Sequence, residues 1–194
     1  MKKFSKLIRI LTVSPLMAMA LSLLLYFCVL DSFSGVWMLI VCIFCLSVFP
    51  TLAYLIENKF HIYKKFHENY SPRECERFLA IYFSLISYFV LTLVTFVTNQ
   101  PTILKEMVLT YLFSVILIFI FSVVLKINAS GHMCGVVGPI IFLSYSISLY
   151  FLISSIVLIL IVYSSLKLKR HTPLELFMGT IIPIISFVFS ILII

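Results

Sequence analysis

The sequence predicts an all-α fold: a polytopic integral membrane protein, one bundle of seven transmembrane helices, with six as the alternative. Three observations predict it. Hydrophobic residues make up 63% of the chain and charged residues 11%, with a mean hydropathy of +1.22, which excludes a soluble domain. Apolar runs of about 20 residues recur along most of the chain, each long enough to cross roughly 30 Å of hydrocarbon. The runs are continuous Leu, Ile, Phe and Val, whereas a β-barrel needs short alternating segments. With 194 residues the chain suits a single domain, 1–194.

The first predicted helix runs from about Arg9 to Leu30 and stops at Asp31-Ser32-Phe33-Ser34-Gly35. Its basic start resembles a signal peptide, but the apolar part continues without a small-residue cleavage site, so it is retained as a helix. The second covers about Val36 to Ile56 and contains Pro50, which frees a backbone carbonyl and kinks the helix. The polar loop 57–77 follows, mixing Lys and Arg with Glu57, Glu68, Glu74 and Glu76. The third spans about Phe78 to Val97, Asn99-Gln100-Pro101 makes a turn, and the fourth spans about Glu106 to Leu125.

From Cys134 to Leu166 the sequence is almost unbroken apolar, too long for one upright helix and short for two. Ser144, Ser146, Ser148 and Tyr150 mark the point where a turn fits. Two helices, about Cys134 to Ser146 and Phe151 to Leu166, then precede a last one from about Leu174 to Ile194. That count puts 13 of the 14 basic residues on one side and only Lys105 on the other, as expected when Lys and Arg collect in cytoplasmic loops. A single long helix would instead separate Lys167, Lys169 and Arg170 from the rest. The N-terminus, the polar loop and both polar clusters described next are therefore expected on the cytoplasmic face.

Two clusters interrupt the apolar pattern. One is Lys126 to Gly138, with Ser130-Gly131-His132 ahead of Gly135 and Gly138; the other is Lys167 to Glu175. Polar groups so close to lipid are expensive unless solvated or functional. His171 and Glu175 are one helical turn apart on one face, so the carboxylate can hold one imidazole nitrogen and leave the other as base or nucleophile. Lys167, Lys169 and Arg170 could hold an anion nearby. Ser130-Gly131-His132 opens a helix, where free N–H groups favour an anion, and His132 could protonate a leaving oxygen. Each cluster by itself is also what a capped helix start beside a basic collar looks like. Both fall on one membrane face, each with its His at a helix start, which points to one phosphate-handling site.

The remaining polar residues carry less. Cys42 and Cys45 form C-x-x-C inside an apolar run, where thiols act as small hydrophobes. His61 and His67 lie in the polar loop and are read as solvated or interfacial. The sequence contains no P-loop, no Asp-rich prenyl-transfer motif and no inverted repeat of the transporter type. No carboxylate cluster suits a metal, and the basic balance of the chain is topogenic rather than a nucleic-acid signal.

Ala129-Ser130-Gly131-His132 resembles the Pro-Ser-Gly-His signature of the phosphatidic acid phosphatase type 2 superfamily of membrane lipid phosphatases. Ser164, His171 and Glu175 resemble its third signature: a Ser-Arg pair, five residues, His, three more, and Asp. Arg73 to Phe78 is similar to a degraded first signature, so the resemblance covers roughly Glu68 to Thr180. It implies that His171 attacks phosphorus to form a phosphohistidine, that Glu175 orients it, and that His132 protonates the leaving group. Ser130, Gly131 and Arg77, with Arg73, Lys126, Lys167 and Arg170 as further candidate cations, would bind phosphate oxygens. No cofactor and no metal are implied; the partners would be membrane lipids and a lipid phosphate or polyprenyl diphosphate substrate, in a bacterial or archaeal plasma membrane. The chain departs from the pattern at Ser165, where the family has Arg, and at Tyr70, where it has Lys, and no Pro follows Arg77. Two functions therefore stand: a lipid phosphate phosphatase, or a catalytically silent phosphatase-like protein that binds anionic lipid or serves as a complex subunit. A small transporter is disfavoured, because the polar residues gather at one face.

Overall fold

The structure is a computed structural model that describes residues 8, 12–61, 65, 71–168 and 171–194, with only the backbone of residues 58, 60 and 73. Among the described residues it is helical with no strand. The helices are α1 (Ser14–Cys28), α2 (Val36–Ile43), α3 (Phe49–Phe60), α4 (Pro72–Val97), α5 (Thr102–Phe119), α6 (Gly131–Ser146), α7 (Ile156–Lys167) and α8 (Pro173–Ile193). A π-helical turn, Phe44–Val48, joins α2 to α3; another, Ile120–Val124, extends α5; a 3₁₀ segment, Leu149–Ser155, leads into α7.

Among the described residues, five helical stretches are long and apolar enough to cross a membrane: Val36–Glu57, Glu74–Val97, Thr102–Val124, Leu149–Lys167 and Pro173–Ile193. That is fewer than the seven spans expected. α1 and α6, with 15 and 16 residues, are apolar but extend only about 24 Å or less at ~1.5 Å per residue, short of the ~30 Å hydrocarbon layer. The long apolar stretch after Cys134 breaks at Ile147–Ser148, where the Ser148 hydroxyl accepts the Tyr150 N–H.

The break at Pro50 is handled by geometry and by a neighbour. Proline lacks the N–H that a preceding carbonyl needs, and the π turn sits just before it. The orphaned Cys45 carbonyl accepts from Ser87 Oγ of α4 at 2.6 Å, and Ser47 Oγ donates to the Pro15 carbonyl of α1 at 2.7 Å. Neighbouring helices thus repair the defect, as an interior without water requires. The polar loop is shorter than expected, because α3 continues to Phe60 and α4 starts at Pro72. Ser71 and Glu74 form a capping box there, with Pro72 in the first turn, and those features stabilise an N-terminus well before the apolar run begins.

The main core gathers Leu21 and Leu25 of α1, Met38 and Cys42 of α2, Leu91 of α4, Met107 of α5 and Phe142 of α6. α8 packs on α5 and α6, α1 on α6, and α4 on both α3 and α5. A hydroxyl pair, Thr110 Oγ1 and Ser190 Oγ at 2.8 Å, links α5 to α8.

Candidate functional site

The two polar clusters meet. Each begins a helix, and the two N-termini are tied by a backbone hydrogen bond from Ser130 N–H to the Glu175 carbonyl, 2.9 Å. The approach is close because Gly179 of α8 lies against α6: a Cβ there would sit 2.5 Å from the Ser130 carbonyl oxygen and 3.1 Å from Ser130 Cβ. Glycine is required at 179 for space.

Glu175 serves two functions with one oxygen. Its Oε2 accepts from His171 Nδ1 at 2.7 Å and from the Thr172 N–H at 3.4 Å, and the Thr172 hydroxyl accepts the Glu175 N–H in return. The same Thr172-Pro173-Leu174-Glu175 run that starts α8 therefore aims the carboxylate at His171. With Nδ1–H donated to a carboxylate, the lone pair of the neutral ring lies on Nε2. Side-chain exposure of His171 and Glu175 is 14% and 18%, so the pair is sheltered and less screened than a surface ion pair.

His132 opens α6 and is held from the other end of the chain. Its Nε2 lies 2.9 Å from Thr12 Oγ1, and Thr12 Oγ1 itself donates to the Ile8 carbonyl at 2.8 Å. A hydroxyl has one proton; with that proton on Ile8, the contact to His132 requires the ring to donate from Nε2. Ser14 Oγ adds a bond to the Gly131 carbonyl at 2.9 Å. Gly135 lets the start of α1 lie directly on α6, since a Cβ there would fall 2.8 Å from the Ser14 Cα.

His132, His171, Glu175, Arg77 and Gly131 line one cavity of about 710 Å³, within the ~300–1,000 Å³ range of pockets that enclose a small organic ligand. Arg77 rises from the first turns of α4, its guanidinium 5.2 Å from the centre of the Phe78 ring. Glu74 and Glu76 of the same helix also line the cavity, so its mouth mixes both signs of charge. Inward, the walls become apolar: Leu21, Met107 and Phe142, all from the main core, reach the same space.

The other expected phosphate-binding residues fall elsewhere. Ser130 is fully buried and caps α6, its hydroxyl accepting the Met133 N–H at 3.3 Å. Lys167 is exposed on α7, its amine donating to the Tyr163 hydroxyl at 2.8 Å. Lys126 is exposed, in a left-handed backbone conformation with φ of 57°. Neither Lys126 nor Lys167 lines the cavity. Arg73 lies in the first turn of α4 with only its backbone described, and Arg170 lies outside the described residues. Ser165 is buried on α7 with 1% exposure. Among the described residues no group of His, Cys, Asp or Glu is arranged to hold a metal ion.

Several cavity residues escaped the sequence reading. Ser71 to Glu74 had a usable signal, the Ser-x-x-Glu spacing of a capping box. Ser14, which lines the cavity, and Thr12, which lies behind it against His132, had none, since hydroxyls in an apolar run most often return to their own helix backbone. Against known proteins, no family model matches the chain, and no curated protein and no solved structure matches it significantly.

Proposed function

We propose that the chain is a membrane lipid phosphatase that hydrolyses a phosphomonoester or diphosphate headgroup through a phosphohistidine on His171. The observation that carries the reading is the convergence of the His171–Glu175 pair, His132 and Arg77 on one cavity that continues into the apolar core. Glu175 holds Nδ1, so Nε2 of His171 attacks phosphorus. The bond to the leaving oxygen breaks, its electron pair stays on that oxygen, and His132 supplies the proton. Water then displaces the histidine, its proton passing to His132. Arg77 and the first N–H groups of α6 offset charge on the phosphoryl oxygens.

The apolar interior supports a lipid rather than a soluble phosphate. Gly131 and Phe142 of α6 both line the cavity, and eleven helical steps at ~1.5 Å place its far wall about 16 Å below the mouth. That is about half the ~30 Å hydrocarbon layer. We place this mouth, with the N-terminus, at the cytoplasmic face by the charge distribution.

The test is phosphate release by purified protein in detergent, without added metal, from a panel of lipid phosphates and diphosphates. Release is expected from the wild type, and His171→Ala should lower it by at least roughly 10³-fold, as loss of a nucleophile does. One observation favours a silent, lipid-binding reading: among the described residues Arg77 is the only Lys or Arg in the cavity wall, beside Glu74 and Glu76. Binding of the same lipids with no release from any of them would establish that reading in place of the first.

A further inference from the structure

We infer that Thr12 is a positioning residue for His132, and that it assigns the ring atom through which His132 moves protons. This rests on the phosphatase reading above and extends the site to a segment outside the stretch that resembles the lipid phosphatases. The geometry closes on itself. Thr12 is buried at 8% exposure, spends its hydroxyl proton on the Ile8 carbonyl, and presents its lone pairs to His132 Nε2 at 2.9 Å. With the Thr12 proton directed at the Ile8 carbonyl, the ring nitrogen facing the hydroxyl is assigned as the donor of the contact. The contact is anchored on both sides, by the bond from Ser14 Oγ to the Gly131 carbonyl and by the seating of Ser14 against Gly135.

His132 therefore retains its Nε2 proton on Thr12 and exchanges the other. In the first step the imidazolium Nδ1–H bond breaks as the leaving oxygen takes that proton together with the electron pair of the broken P–O bond. In the second, Nδ1 takes a proton from the attacking water while the P–N pair returns to His171. The two histidines are thus fixed through opposite ring nitrogens: His171 through Nδ1 by a carboxylate, His132 through Nε2 by a hydroxyl.

The experiment pairs Thr12→Val, which keeps the shape and removes the hydroxyl, with Thr12→Ser, which retains it. Protein labelled with ¹⁵N-histidine is examined by NMR in detergent, His132 being assigned by comparison with His132→Gln, and phosphate release is followed on the same samples. In the wild type the neutral ring should show a protonated Nε2 and a bare Nδ1. Thr12→Val should give mixed tautomers and a kcat about 10-fold lower or more with KM little changed, and Thr12→Ser should restore both. A neutral wild-type ring protonated at Nδ1, or a Thr12→Val variant with the wild-type tautomer and kcat, overturns the inference. A wild type that releases no phosphate overturns the phosphatase reading instead, and the tautomer comparison still decides whether Thr12 holds His132.

Discussion

Glu175 is asked both to start a helix and to set a tautomer, and the two tasks can be separated. A capping box accepts Gln as well as Glu at this position, so Glu175→Gln should leave α8 formed while removing the negative charge beside His171 Nδ1. Unchanged far-ultraviolet circular dichroism is expected, with phosphate release lower by up to about 10⁴-fold, the loss that follows when the orienting carboxylate of a catalytic histidine becomes an amide. A rate equal to wild type would mean that Glu175 is a helix cap and that its 2.7 Å contact with His171 does nothing for the reaction. Gly131 can be read in the same way. A Cβ there meets nothing within 4 Å, so Gly131→Ala should change thermal stability little, whereas a methyl group in the cavity wall should weaken substrate binding. A variant that melts early but turns over normally would contradict both halves.

Among the elements, α6 and α8 carry the site, and their contact depends on Gly179. Gly179→Ala puts a methyl carbon 2.5 Å from the Ser130 carbonyl oxygen, and backbone cannot turn aside as a flexible side chain can. Overpacking of this kind costs about 1–3 kcal/mol, to be read as a lower midpoint in thermal unfolding in detergent. Because the Ser130–Glu175 backbone bond lies beside the same contact, phosphate release should fall together with stability. A Gly179→Ala protein of wild-type stability would show that α6 and α8 separate without cost. The π turn before Pro50 belongs to this scale too: one missing N–H reshapes a helix, and a serine on α4 supplies the donor.

For the whole molecule, the question is which way the cavity faces. α1 begins at the cavity with Ser14 and ends at Cys28, about 21 Å further along the helix axis at ~1.5 Å per residue. Cys28 is exposed, while Cys42, Cys45, Cys75 and Cys134 are buried, so Cys28 is the one cysteine at the protein surface. If the mouth faces the cytoplasm, a membrane-impermeant maleimide added to intact cells should label Cys28. Labelling that appears only after the cells are permeabilised would put the mouth outside and reverse the orientation drawn from charge. The depth of the cavity adds a second expectation. Glycerol phosphate, which has a headgroup and no tail, should give a kcat/KM at least about 10²-fold below that of a long-chain lipid phosphate, since each buried CH₂ contributes up to ~0.8 kcal/mol. Equal values would mean that the apolar interior is not used.

What could be read without coordinates was whatever a residue determines by itself or through its neighbours in the chain. Continuous apolar runs specified helices in lipid, because no other open backbone arrangement satisfies its own hydrogen bonds there. The His171–Glu175 spacing put the two side chains on one face of a helix turn, because helical period is a local property. The Ser-x-x-Glu spacing at Ser71 carried the same kind of information. Tertiary structure alone decided which cations face the cavity, since Lys126 and Lys167 share the sequence neighbourhood of His132 and His171 yet point elsewhere. It also decided that Glu74 and Glu76 enter the site and that Thr12 lies against His132. Each of these depends on how helices distant in sequence pack, and Thr12 and His132, 120 residues apart, share no local period from which their contact could be read.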